Sequence, residues 1–212
     1  MQAFSPQPKG ARRVGKSFES GALPAMAALG AQSGVSLLQP EHYRRVPWLN
    51  GGGVSVDVAW GPAESFRFGR TPILAPGPFS DYTGRERWQV LVAGRGLVLE
   101  TPDGEIDVRQ PFRPVSFAGE TKIMSRLEAG PVEVVNLIGD RSRVRLGLSV
   151  LREGDSQALN RCRTIAYCAA GPATVSFGNK VYDLPAEGGL DVDSEPGTLA
   201  CTAGLVVVAS IA

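Results

Sequence analysis

Histidine is nearly missing from this chain: 212 residues contain one, His42. Metal-dependent β-barrel enzymes rely on clustered imidazoles, because neutral nitrogen donors hold iron, manganese or zinc. One imidazole makes no cluster, so no transition metal and no cofactor is expected. Serine–histidine and cysteine–histidine catalysis would both have to draw on that same residue. Its setting, Glu41-His42-Tyr43-Arg44-Arg45, reads as surface or strand edge, and no catalytic residue is assigned. Cysteine is scarce too. Cys162, Cys168 and Cys201 are odd in number and lack Cys-x-x-Cys spacing, which excludes a disulfide framework and a zinc site. Cys168 and Cys201 sit in apolar runs, where a free thiol acts as a small hydrophobe, and this usage suits a reducing cytoplasm.

Long apolar runs are also missing. A membrane helix needs about 20 such residues, so a soluble protein with no membrane partner is expected. Charge of one sign is missing as well: 22 basic and 21 acidic residues leave a formal charge of +1. No nucleic-acid partner is expected from such a balance. The basic trio Arg141, Arg143 and Arg145 alternates with Ser142 and Val144 without interleaved aromatics, and reads as one solvated strand face.

What is abundant is punctuation. The 26 glycines and 16 prolines separate short runs rich in Val, Thr, Phe and Tyr. That is the pattern of many short strands, and amphipathic helical patterns are hard to find, so the class is mainly β. Residues 1–34 differ, being rich in Ala, Gly, Ser and Pro without periodicity, and read as a flexible or atypical N-terminal extension. Within them, residues 10–17 (GARRVGKS) fit the phosphate-loop pattern. No buried strand precedes them and no helix follows, so a nucleotide site is rejected. Arg12-Arg13 ahead of the mildly apolar residues 21–31 resembles an export signal, but Glu19 and Pro24 interrupt it.

Beyond residue 34 the chain echoes itself. Trp88 to Thr101, closing with residues 131–138, is answered by Thr164 to Phe177, closing with residues 204–211. Each copy runs strand, glycine turn, strand, turn-rich middle and Val-rich strand. Two such units predict a pair of small β-sandwiches or barrels, a first lobe over 35–140 and a second over 141–212.

The most distinctive segment is Arg45-Val46-Pro47-Trp48-Leu49-Asn50-Gly51-Gly52-Gly53-Val54-Ser55-Val56-Asp57-Val58. Three glycines followed by alternating valines predict a chain reversal feeding a strand. The alternation sets Ser55 and Asp57 on one face, beside glycine amides able to approach an anion. Further on, Gly77-Pro78-Phe79-Ser80 leads through Gly84-Arg85-Glu86-Arg87 into a strand, and Phe117-Ala118-Gly119-Glu120 precedes Gly130-Pro131-Val132 and Asn136. These three blocks, in this order, resemble the HutD/Ves family from about Val35 to the C-terminus. Leu49, Ser55, Asp57 and Glu86 stand where that family has Lys, Thr, Glu and Asp. Its pocket arginine falls at Arg67 or Arg70.

The resemblance implies a cupin-like, two-lobed (bicupin) β-sandwich or barrel and a cytoplasmic role in histidine utilisation. It implies a regulator that binds a pathway intermediate such as formiminoglutamate, rather than an enzyme. The expected first-lobe pocket comprises Asn50, Gly51, Gly52, Gly53, Ser55, Asp57, Ser80, Arg87 and Asn136, and its ligand is a small polar or anionic molecule. Arg87 suits a carboxylate, which it can clamp through two parallel hydrogen bonds. Asn136, alone among valines, must find a partner. Two alternatives stay open: a metal-free isomerase or hydrolase using Asp57 and Glu86, and a dimeric interaction module. A homodimer is compatible with any of these.

Overall fold

A computed structural model describes residues 34–212; apart from Gly34, the N-terminal extension with its phosphate-loop look-alike and paired arginines lies outside the described residues. The first half contains β1 (Gly34–Leu38), β2 (Arg44–Pro47), β3 (Val54–Trp60), β4 (Phe66–Ile73), β5 (Gly77–Pro78) and β6 (Arg85–Ala93). It continues through β7 (Leu97–Thr101), β8 (Gly104–Asp107), β9 (Val115–Ala118), β10 (Met124–Leu127) and β11 (Val132–Asp140). The second half runs β12 (Leu146–Arg152), β13 (Ser156–Leu159), β14 (Arg163–Tyr167), β15 (Ala173–Phe177), β16 (Lys180–Leu184), β17 (Gly189–Asp193), β18 (Gly197–Ala203) and β19 (Leu205–Ile211). The only helical pieces among the described residues are 3-10 turns at Pro40–His42 and Pro62–Glu64. No helix there is long and apolar enough to cross a membrane.

The fold is mainly β and cupin-like, and the echo in the sequence is an echo of topology. In the first half, β4-β11-β6-β9 form part of a sheet whose edge is extended by β3 and β2, while β5-β10-β7-β8 form a second sheet. Adding eight to each number gives the second half: β12-β19-β14-β17, extended by β1, and β13-β18-β15-β16. The opening strand β1 therefore joins β17, not the strands that follow it, with Gly34 opposite Asp193 and Leu38 opposite Gly189.

Three hydrophobic cores among the described residues hold this arrangement, and strand alternation builds them. Along β11, Val132 and Val134 face the outer sheet of their half, where they join Leu91, Leu97 and Leu99. The alternate residues Val135 and Leu137 face the other way, meeting Ile165, Tyr167, Val207 and Ala209 of the second half. Along β19, Val206 and Val208 fill the interior of the second half with Cys168, Cys201 and Leu199. These long strands are buried on both faces, which is why they read as continuous valine runs. Each fully buried Leu or Val contributes about 1.5–3 kcal/mol. Cys168 and Cys201 are buried in that core as expected, and burial pushes the Cys168 thiol up to about 12.

Polar ties reinforce the central interface. Arg163 chelates Asp191 at 3.0 and 2.6 Å while donating to the Trp60 carbonyl of the other half. Arg70 forks onto Glu133 at 2.8 and 2.7 Å and also pairs with Glu187. Arg141, Arg143 and Arg145, expected on a strand face, belong instead to the turn and link between β11 and β12. They are exposed; Asp140 caps the turn by accepting from the Ser142 amide, and Arg145 exchanges a pair of backbone hydrogen bonds with Ala212.

Candidate functional site

The interior of the first half is not filled as the second is. On the inner face of its larger sheet, residues fall into rows set by the strand register. One row runs Arg67, Ile138, Arg87, Phe117 across β4, β11, β6 and β9. The next runs Asp57, Gly69, Asn136, Gln89 across β3, β4, β11 and β6. A cavity of about 60 Å³ lies over these rows, lined among others by Ser55, Asp57, Arg67, Thr71, Arg87 and Asn136. At roughly 10–15 Å³ per water this holds a few solvent molecules or the head of a small ligand.

Two arginines reach the cavity in opposite circumstances. Arg67 forks onto Asp57, with Nε to Oδ2 at 3.0 Å and a second nitrogen to Oδ1 at 3.1 Å. Arg44 reaches the same carboxylate from Nε at 2.9 Å and also pairs with Glu64. Asp57, only 3% exposed, is therefore saturated by two cations. Burial works to lower the Arg67 pKa, but the hydrogen bond and charge of Asp57 outweigh it and the net direction is up.

Arg87 has no such partner. It is 6% exposed, makes no salt bridge among the described residues, and its Nε has no hydrogen-bond acceptor. Aromatic faces surround it instead: Phe79 at 4.9 Å, Phe117 at 5.0 Å and Tyr82 at 5.3 Å. Such rings attract a cation but do not replace its hydrogen bonds. Burial pushes the guanidinium down to about 10, still charged at neutral pH. Three cations (Arg44, Arg67, Arg87) against two anions (Asp57, Glu64) leave one positive charge, and it sits at Arg87.

The remaining wall is a hydrogen-bonded ladder. The Trp48 indole donates to Ser55 Oγ at 2.9 Å, Ser55 and Thr71 hydroxyls share a bond of 2.9 Å, and Asn136 Nδ2 donates to Thr71 at 3.1 Å. Asn136 Oδ1 is left without a partner. Gly69 belongs to the wall by necessity. A register shift in β3 brings the Val56 carbonyl within 2.2 Å of where a Cβ would stand, so no side chain fits.

Ser55, Asp57, Ser80, Arg87 and Asn136, expected together from sequence, do line one cavity. Asn50 and Gly51–53 are absent from its wall, and the Gly51 and Gly52 amides are taken up by the turn. The Gly51 amide bonds the Trp48 carbonyl, the Gly52 amide bonds Asn50 Oδ1, and Asn50 ties down Pro78 and Ser80. With those two amides bonded inside the turn, they are not offered to an anion. Glu86, paired with Asp57 in the enzymatic alternative, points to the opposite face of β6 from Arg87 and accepts the Trp88 indole proton at 2.9 Å. His42 is exposed outside the cavity wall. Among the described residues no cluster of three His, Cys, Asp or Glu side chains is arranged to hold a metal. Of the two arginines left open, Arg67 enters the cavity and Arg70 turns to the central interface. Thr71, Trp48, Phe79 and Tyr82 also line the cavity, beyond the residues that the sequence motifs point to. Thr71 carried a usable signal, lying two and four residues from Gly69 and Arg67 on one strand face.

The second half shows that the fold does not require this polarity. Interior-facing pairs on β14 and β19 are Thr164–Ser210 and Ala166–Val208, and none of these side chains has a stranded buried polar atom.

Comparison with known proteins agrees with this architecture. The family model described as HutD matches residues 40–206. A curated relative from Pseudomonas putida, an uncharacterised 21.2 kDa protein of the hutC 3' region, is 28% identical over 143 residues, covering 65% of this chain and 75% of its own. A conserved protein of unknown function from Pseudomonas aeruginosa PAO1 superposes with a TM-score of 0.74 at 20% identity, over 84% of this chain and 98% of the other. The structure of HutD from Pseudomonas fluorescens SBW25 superposes with a TM-score of 0.70 at 22% identity over the same shares.

Proposed function

The chain belongs to the HutD family, and from that premise we propose that it is a regulatory protein that binds a small carboxylate at Arg87. The observation that carries this reading is a buried guanidinium with no counter-ion among the described residues. An isolated buried charge costs several kcal/mol unless something neutralises it. A carboxylate entering the cavity would accept two parallel bonds from Arg87 and remove that cost. Asp57, by contrast, already has its own cations, so it holds Arg67 in place and leaves the positive charge unspent. Ser80 and Asn136 supply neutral hydrogen-bonding groups elsewhere along the same cavity.

A histidine-catabolism intermediate such as formiminoglutamate fits these terms, and the hutC neighbourhood named for the Pseudomonas putida relative favours that setting. The test is a thermal-shift panel of histidine, urocanate, formiminoglutamate, formylglutamate and glutamate. A ligand at about a hundred times its dissociation constant should add roughly 2.7 kcal/mol of stability. Stabilisation by one acyclic intermediate, absent in Arg87→Ala, is the expected result. No shift from any carboxylate would sink the reading.

A further inference from the structure

Among the described residues, four of the five buried side-chain atoms without a partner lie on the inner face of one sheet: Arg87 Nε, both polar atoms of Gln89, and Asn136 Oδ1. Gln89 is wholly buried, with 0% exposure, on the same face of β6 as Arg87 and directly opposite Asn136 on β11. Two carboxamides in register would normally bond each other, yet here the Gln89 amide has no partner and Asn136 uses only its nitrogen, on Thr71. A stranded carboxamide costs the desolvation of both its donor and its acceptor. The second half closes the same kind of interior with Ala166 and Val208, so architecture does not demand the amides.

Resting on the carboxylate reading of Arg87, we propose that Gln89 is a further ligand-binding residue. With Asn136 it forms an inner subsite for a group that both donates and accepts hydrogen bonds. The cavity reaches Asn136, and Gln89 is the next side chain along that row. Arg87 and Gln89 are two residues apart on a strand, so their side chains emerge about 7 Å apart. The ligand class is therefore an aliphatic acid with a carboxylate at one end and a carboxamide or amidine at the other, spaced to span that distance. A carboxylate at the inner end is disfavoured, because two neutral amides cannot offset a second buried charge.

The probes are glutaramate, glutarate and pentanoate, titrated calorimetrically into the full chain. Wild type should prefer glutaramate over both others by about tenfold or more, since a site built to bond a polar group rejects an analogue lacking it. In Gln89→Leu the preference over pentanoate should collapse to near unity while pentanoate affinity holds. Should Gln89→Leu fail to fold, Gln89→Met carries the same comparison. A variant that keeps the full preference for glutaramate overturns the proposal, leaving the amides as holders of a buried water. Equal wild-type affinity for glutaramate and pentanoate overturns it too, while the carboxylate reading stands. Binding of none of the three overturns both.

Discussion

At the scale of single residues, the account turns on one cation. Arg87 keeps its charge at neutral pH although burial lowers its pKa to about 10. Carboxylate affinity should therefore be flat from about pH 6 to 9 and weaken as pH rises through about 10, a profile that titration calorimetry can follow. The sign for stability is opposite. A cation with a depressed pKa leaves the unfolded chain holding the extra proton above about pH 10, up to the ordinary guanidinium range. The penalty of burying Arg87 is thus present at neutral pH and relieved only through that alkaline window. Ser55, Asp57 and Arg87 were legible in the sequence, because period-two alternation assigns faces. Gln89 was not, since a polar residue inside an apolar run reads like any other exception until its partners can be counted.

At the scale of elements, β3 and β4 show how the site is made. The stretch Phe66-Arg67-Phe68-Gly69-Arg70-Thr71 alternates strictly. Phe66 and Phe68 go to the central core, and Arg67, Gly69 and Thr71 go to the cavity. Arg70 shares the phenylalanine face, so the choice between the two arginines was contained in the pattern. What the pattern could not contain is the register shift in β3 that lets Asp57 meet Arg67 and Arg44 together. Gly69→Ala should test that feature. Its new Cβ would collide with the Val56 carbonyl, costing about 2–3 kcal/mol in denaturant unfolding and weakening carboxylate binding with it. The glycine turn over 51–53 is legible as a reversal. Its amides were expected to face an anion, but the turn's own hydrogen bonds take two of them.

At the scale of the whole molecule, the eight-strand offset between the halves makes one half a control for the other. The matching strands of the second half carry Thr164, Ser210, Ala166 and Val208, none with a stranded buried polar atom, so the architecture does not demand the unpaired cation and carboxamides of the first. Both halves share the central core around Leu137, Phe68, Tyr167 and Val207, and β1 ties the start of the described chain into the second half. They should therefore melt together, with calorimetric and van't Hoff enthalpies in agreement. Two resolved transitions would mean the shared core contributes little. The repeat was legible because both halves carry the same glycine-punctuated valine runs. The pairing of β1 with β17 was not, since a five-residue strand carries no mark of its partner. The most direct measurement sets wild type beside Arg87→Met, recording both melting temperature and titration with the carboxylate that stabilises wild type best. A buried, unpaired cation replaced by an apolar side chain of similar length should leave the free protein as stable as before or more so, while binding falls beyond detection. A variant that still binds with wild-type affinity, or that loses its fold along with its binding, would contradict the account.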